Sequence, residues 1–415
     1  MARAKSGGAI ISRLRNLGLV RIAILTVGGL AGAWLAFLLA ASGVTRTTNP
    51  QLALTFMPDD STALAARAEE LFLAKPEQPS PDVSAMALAA LREQPINPKA
   101  LRLLGFVADS QGDPVKAKAY MRLAEKLTRR DPGAQLWLIE SSARKGDTKQ
   151  TLVHYDVALR TSPNTQPLLF PQLLGALEDA EIRAALKPYV RAEKSWAAGF
   201  IAHAVANSKD LPSLTRLYLD SGGLVDPKED RDQRYQLISR LINEKYFSDA
   251  SRLYLAMQGA AKARLTDIGF ASLDRDGGAG PMGWQILDDS DAGGGFAGGE
   301  KGQRPTLSVF ANSSTTRPVA TKLMYLAPGS YLFSARLATL DRGDGGFLRW
   351  QMLCPSRESG APFWTFDTIS VSTQAALSVP PDCPVQRIDL VVSGGKGQTG
   401  LEATIANIAI NRRTN

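Results

Sequence analysis

The sequence predicts a multidomain α and β protein: one N-terminal transmembrane helix, a domain of paired α-helices, and a C-terminal antiparallel β-sandwich. Three observations carry that prediction. A run of 23 uncharged residues follows a basic N-terminus. Apolar residues between about 60 and 265 recur at helical spacing, with landmarks 34 residues apart. From about residue 283 onward, short alternating segments are separated by Gly- and Pro-rich turns. The expected order is a basic tail (1–21), a transmembrane helix (22–44), a linker (45–60), the helical domain (61–265), a Gly-rich linker (266–282) and the sandwich (283–415). With 44% hydrophobic and 21% charged residues, the composition excludes a disordered chain and a protein of many membrane spans. Two cysteines and two histidines exclude a disulfide-dense scaffold, a site of several thiolates and most His-rich metal sites.

The formal charge of +8 becomes informative once it is placed along the chain. Arg3, Lys5, Arg13, Arg15 and Arg21 supply five of the eight excess charges, and no acid lies among them. The rest is nearly neutral, so a nucleic-acid surface is not expected. Ile22 to Val44 follows without a charge. At 1.5 Å per residue it spans about 34 Å as a helix, enough for a bilayer core of about 30 Å. Ala40-Ala41-Ser42 also offers small residues of the kind found at signal-peptide cleavage sites, but the apolar run exceeds the usual length of a signal peptide. We favour an uncleaved anchor. The basic flank puts the N-terminus in the cytoplasm and residues 45–415 outside, in the periplasm of a bacterial inner-membrane protein. Gly28 and Gly32 form a small-xxx-small pair that admits close helix approach.

In the middle of the chain, Pro98 and Pro132 are 34 residues apart, as are Gly112-Asp113 and Gly146-Asp147. Leu104 recurs as Leu138, Met121 as Tyr155, and Ala124 as Ala158. This pattern resembles the tetratricopeptide repeat. Leu104-Gly105, Ala117, Met121, Ala124 and Pro132 match that repeat's positions, with Gly112 at the turn between the helices. The next copy departs at Ile139 and Thr151, where glycine and a small alanine are expected. Residues 236–258 suggest another helix pair, and 61–74 with 82–93 an irregular first one. The resemblance implies a concave surface for protein partners or peptides; a spacer or packing platform is the competing reading. His154 and His203 have no second ligand at i+3 or i+4 and are expected to be structural, and Trp137 and Trp196 are expected in the core.

Nineteen of the 36 glycines lie in residues 275–415, ten of them between Gly277 and Gly302. That passage lacks a phosphate-loop sequence and is expected to be a flexible junction around one strand, Trp284 to Leu287. Asp288, Asp289 and Asp291 are oxygen donors for a structural calcium ion, or simply turn residues. No other metal or cofactor is expected. Strands are then predicted at 306–312, 319–326, 331–340, 347–354, 363–371, 387–392 and 401–411. Alternation puts Leu348, Trp350, Met352 and Cys354 on one face, with Arg349 and Gln351 on the other. In an oxidising compartment Cys354 and Cys383 are expected to pair; two buried thiols are the alternative.

The segments 326–334 and 405–412 resemble the jelly-roll, galactose-binding-like (carbohydrate-binding-module-like) modules found in many carbohydrate-active and cell-surface proteins. That resemblance implies glycan binding. Sugars are recognised by exposed aromatic rings flanked by planar polar groups, so Trp364, Arg349, Gln351 and Arg336 are the candidates. Each also reads as core packing or a solvated strand face. No nucleophile elbow, HExxH, dinucleotide or Walker motif is present. The expectation is a non-catalytic, membrane-anchored periplasmic scaffold that binds envelope proteins through its repeats and glycan through its sandwich, in envelope polysaccharide synthesis or export. A purely protein-binding scaffold of a division or secretion complex is the alternative, and a polysaccharide-modifying enzyme a more distant one.

Overall fold

Capping residues followed by proline set several of the helix starts in this computed structural model, which describes residues 7–192, 194–270, 280–298, 305–368 and 370–413. Arg3 and Lys5 of the basic tail, and positions 271–279 and 299–304 of the Gly-rich passage, lie outside the described residues. Asn49, Ser80, Asn97, Asp113 and Asp131 each precede a proline, and each accepts a hydrogen bond from a backbone N–H in the first helical turn. The acceptor satisfies an orphan donor, and proline at the first position has no N–H to satisfy.

The resulting helices are α1 (Gly7–Thr45), α2 (Pro50–Phe56), α3 (Ser61–Ala74), α4 (Pro81–Glu93), α5 (Pro98–Ser110), α6 (Pro114–Leu127), α7 (Pro132–Ala143), α8 (Thr148–Thr161) and α9 (Gln166–Gly175). Within α1, Ala23–Thr45 is long and apolar enough to cross a membrane, with a mean hydropathy of 2.0, as a signal sequence near an N-terminus also is. The helix runs unbroken through Ala40-Ala41-Ser42.

α5–α6 and α7–α8 repeat one geometry at an offset of 34 residues. Asn97 and Asp131 cap the first helix of each pair, and Asp113 and Asp147 cap the second. Gly112 and Gly146 both take left-handed backbone, with φ of 77° and 69°. That conformation reverses the chain between paired helices and disfavours any residue with a Cβ. α5 approaches α6 so closely that a Cβ on Gly105 would stand 2.8 Å from the Met121 Cε. Ala117, Met121 and Ala124 are fully buried beneath that contact. In the second pair Ile139 is buried where the first has Gly105, and Tyr155 takes the place of Met121. A buried ionic chain links successive pairs: Glu69 of α3 meets Arg102 of α5, whose Nη1 donates to Asp131 at the start of α7 at 2.8 Å.

The described chain divides into two compact units, one ending at Leu173 and one beginning at Leu174. The division falls inside the helical region. The second unit holds α10 (Ala180–Arg191), α11 (Ala197–Asn207), α12 (Leu211–Ser221), α13 (Pro227–Asn243) and α14 (Phe247–Leu255) together with all the strands. Specific contacts tie these helices to the sheets. Phe247 packs with Leu323 and Val385, and the Tyr325 hydroxyl donates to the Phe247 carbonyl at 2.9 Å. In the chain that connects α14 to the first strand, Trp284 donates its indole N–H to the Ile268 carbonyl at 3.0 Å. Among the helices, Tyr218 is buried against Asp230 and Arg234, and burial pushes its hydroxyl pKa up.

The strands are β1 (Gln285–Ile286), β2 (Ala292–Ala297), β3 (Thr306–Ala311), β4 (Thr316–Met324), β5 (Gly329–Arg342), β6 (Phe347–Leu353), β7 (Pro362–Asp367), β8 (Ser372–Val379), β9 (Gln386–Ser393) and β10 (Leu401–Arg412). They form two five-stranded sheets, ordered β1-β4-β9-β6-β7 and β2-β3-β10-β5-β8, with antiparallel pairing throughout. Trp350, Met352, Phe333, Leu390 and Ile405 fill the core between them. The expected flexible junction is corrected here, because Gly293–Gly295 lie within β2 and pair with β3. A Cβ on Gly294 would stand 2.9 Å from the Ser308 carbonyl oxygen, so the glycine permits a close approach.

Lys322 points into this unit, 5% exposed, and its Nζ donates to the Met282 carbonyl at 2.8 Å. Burial pushes its pKa down to about 8, and Asp267 opposes that shift. The unfolded chain, with an ordinary lysine, holds a proton between pH 8 and 10.5 that the folded chain has lost. Stability therefore rises with pH across that window, by roughly 3 kcal/mol in total. Denaturation of the wild type and Lys322→Met at pH 7.5 and 10 checks this; an unchanged slope in the variant refutes the assignment.

Candidate functional site

A row of polar side chains crosses the outward face of the β1-β4-β9-β6-β7 sheet. Period-two alternation on β6 sends Leu348, Trp350 and Met352 into the core and leaves Arg349 and Gln351 outside. Cross-strand register then aligns Gln285 (β1), Thr321 (β4), Asp389 (β9), Gln351 (β6) and Thr365 (β7) in one row across all five strands.

Asp389 is the centre of this row. It is only 2% exposed although it sits on the outward face, because its neighbours close over it. Its carboxylate accepts from Thr321 Oγ1 at 2.7 Å, from Arg387 Nε and Nη2 at 2.9 and 3.0 Å, and from Gln351 Nε2 at 3.3 Å. The acid thereby fixes the planar groups of Gln351 and Arg387 in a common orientation. Arg387 keeps a side-chain exposure of 44% and stands between two grooves. One, of ≈ 360 Å³, runs along β1 and β4 beside Gln285, Thr321 and Asp389. The other, of ≈ 300 Å³, lies between the α13–α14 turn and the sheet, beside Asn243, Lys245, Leu353 and Arg357. One row further on, Arg349 pairs through two nitrogens with Asp367 at 2.6 and 2.9 Å and stacks on Phe347. Each partner favours the other's charge: Asp367 is held below the usual carboxylate range and Arg349 above its own. Arg357, paired with Asp382, lowers that carboxyl in the same way.

The structure brings together two of the four expected glycan residues. Arg349 and Gln351 share this outward face. Trp364 does not: opposite Met352 in the register, it turns inward. Its ring lies 5.2 Å from Phe333, and its indole N–H donates to the Ala376 carbonyl of β8 at 2.8 Å. It therefore stitches an edge strand of one sheet to an edge strand of the other. Arg336 is exposed on the opposite sheet, between Ser372 and Asn407 in register. Alternation explains the first separation and sheet assignment the second. Sequence reasoning missed Asp389, Arg387, Thr321 and Thr365. The alternation Arg387-Ile388-Asp389-Leu390 on β9 was the available signal.

Cys354 and Cys383 are joined in a disulfide, with Cα atoms 5.6 Å apart, beside the second groove. The Asp288–Asp291 segment is a turn. Asp289 accepts the Asp291 N–H and pairs with Arg317 at 2.8 Å, contacts that hold its carboxyl below the ordinary range. Among the described residues, no three His, Cys, Asp or Glu side chains cluster to hold a metal ion. His154 is buried, with Nδ1 3.0 Å from Gln135 and 3.3 Å from Glu125, whose carboxyl it draws down. Trp137 and Trp196 are buried as well.

No protein-family model matches this sequence, and no curated protein matches it. Several solved structures match about a third of the chain. TmCBM61, a carbohydrate-binding module in complex with β-1,4-galactotriose, shares 12% identity at a TM-score of 0.23, covering 31% of this chain and 88% of that one. A CBM4 structure shares 14% identity at 0.23, covering 32% and 88%. The enzymatically active domain of bacteriophage CBA120 tailspike protein 4 shares 14% at 0.22, covering 31% and 19%. Two of these three neighbours are carbohydrate-binding modules.

Proposed function

We propose that the chain is a non-catalytic, membrane-anchored scaffold whose sandwich binds a glycan on the face centred on Asp389. The observation that carries this reading is the row of planar and hydroxyl groups crossing five strands, with two grooves meeting at Arg387. Sugar hydroxyls present donors and acceptors together, and oriented amide, guanidinium and carboxylate groups answer both. The helix pairs carry the protein-partner part of the reading, as tetratricopeptide-like repeats. Leu88, Val115 and Leu123 stand exposed on α4 and α6 and offer apolar contact area. The disulfide fits an oxidising compartment, in keeping with a periplasmic position for residues 45–415 and a role in envelope polysaccharide synthesis or export.

The test uses the full chain in nanodiscs against a panel of envelope polysaccharides. Retention is expected, with a loss of about tenfold or more in Gln351→Ala/Arg387→Ala, since each lost polar contact to ligand is worth about 1 kcal/mol or more. Retention of no polysaccharide removes the glycan part and leaves a purely protein-binding scaffold. Turnover of a retained polysaccharide replaces the scaffold with an enzyme.

A further inference from the structure

We propose that α2 and its flanking turns, residues 47–58, form an interfacial hairpin that sits in the lipid surface beside α1, so that the protein touches the membrane through two elements. The inference rests on the anchor reading of α1. Asn49 donates its N–H to the Thr45 carbonyl at 2.8 Å, so the chain turns at the end of α1, and α2 packs back against it. Phe56, at the far end of α2, lies 6.2 Å from the Phe37 ring in edge contact. Phe37 in turn stacks on Trp34 at 5.7 Å.

These contacts assign depths. Ser42 donates to Asp60 at 2.9 Å, which puts the first acids after α1 level with Ser42. Phe37 precedes Ser42 by five residues, about 7.5 Å along the helix toward the middle of the span. The segment 47–58 thus dips below the level of Asp60 and returns. It contains no charged residue, whereas Arg46 and Asp59 flank it. Leu52 within it is 41% exposed, and Val44 on α1 is 75% exposed.

Several of its polar groups close on the segment itself or on α1, while Thr47 and Gln51 stand exposed, an arrangement suited to the interface and not to the hydrocarbon core. The Thr55 hydroxyl donates to the Leu52 carbonyl at 2.6 Å and the Thr45 hydroxyl to the Ala41 carbonyl at 2.6 Å. Asn49 caps α2, and the Met57 N–H closes its last turn on Ala53. An uncharged hairpin with exposed leucine and exposed polar groups, continuous with a membrane span, has the bilayer surface as its partner.

Spin labels on Leu52→Cys and, as a second site, Thr55→Cys test this in the full chain. The protein is reconstituted in vesicles of phosphatidylethanolamine and phosphatidylglycerol, with Leu30→Cys in α1 and Leu88→Cys on α4 as references. Oxygen collisions are expected to exceed collisions with a water-soluble nickel chelate at 52, 55 and 30, and the order to reverse at 88. Chelate-accessible labels at 52 and 55 with a lipid-facing label at 30 overturn the hairpin and leave the anchor. Labels at 52 and 55 shielded from both reagents overturn it in favour of a protein partner. A chelate-accessible label at 30 removes the anchor and the hairpin together.

Discussion

Exchange of both Cys354 and Cys383 for alanine lowers the stability of the sandwich by about 3–4 kcal/mol, the loop-closure value for a bridge between residues 29 apart. For a cooperative unit of this size, that corresponds to a fall of about 10 °C in Tm. The bridge joins the residue after β6 to the turn that launches β9, two neighbouring strands of the sheet carrying Asp389. Both cysteines are buried, at 2% and 0% exposure, so without the bond the unfolded chain regains freedom while the folded chain gains no solvation. Buried Gln386 is bonded to Leu326 and Cys383 in the same corner, which spreads the loss along β9. Calorimetry of wild type, wild type under reductant and the double variant checks the expectation. Reductant should bring the wild type to the variant's Tm. A difference below about 3 °C would sink the assignment of stability to this bridge. Polysaccharide retention should weaken under the same reductant, because Cys354 lines the groove beside Arg387.

What was legible in the sequence follows from the range of the interactions involved. Helix positions were local: α3 through α8 lie where apolar periodicity and the 34-residue landmarks put them, and α4 through α7 each start at an Asn, Asp or Ser before proline, which fixes its own turn. Eight of the ten described strands were legible, seven through alternation against a buried core and β1 as the short strand Trp284 to Leu287. The two overlooked strands, β2 and β8, are both edges of the second sheet. An edge strand is half solvated and tolerates glycine or small polar residues, so Ala292–Ala297 and Ser372–Val379 carry little β-branched signal. The candidate site fared less well for a related reason. Alternation correctly divides Trp350 from Gln351, yet which residue of β9 or β4 lies opposite Gln351 depends on register. Register is set by pairings such as Thr321 with Asp389, 68 residues apart. Trp364 illustrates the converse: an aromatic in a strand is equally suited to a core and to a sugar, and only its place opposite Met352 decides.

Replacement of Arg102 by methionine destabilises the first unit by about 3–5 kcal/mol, the cost of stranding a buried charge. Arg102 and Asp131 have side-chain exposures of 9% and 8%, and Arg102 also reaches Glu69, which Lys99 holds from a second side. Without the guanidinium, Asp131 keeps only the Ala134 N–H of its own capping turn. Gly133 was shaped by the same contact: a Cβ there would stand 2.7 Å from the Arg102 Cδ, so the arginine lies across a gap that only glycine leaves open. The effect should be strongly non-additive. In Arg102→Met/Asp131→Asn, the amide still caps α7 and no charge is left unpaired there, so more than half of the lost stability should return. Hydrogen exchange of the α5 and α7 amides provides the readout, since these helices meet at the ionic chain. Equal protection in wild type and Arg102→Met would mean that the chain carries no net stability. Protection lost in the single variant and regained in the double one is the signature of a buried pair that holds successive helix pairs in register.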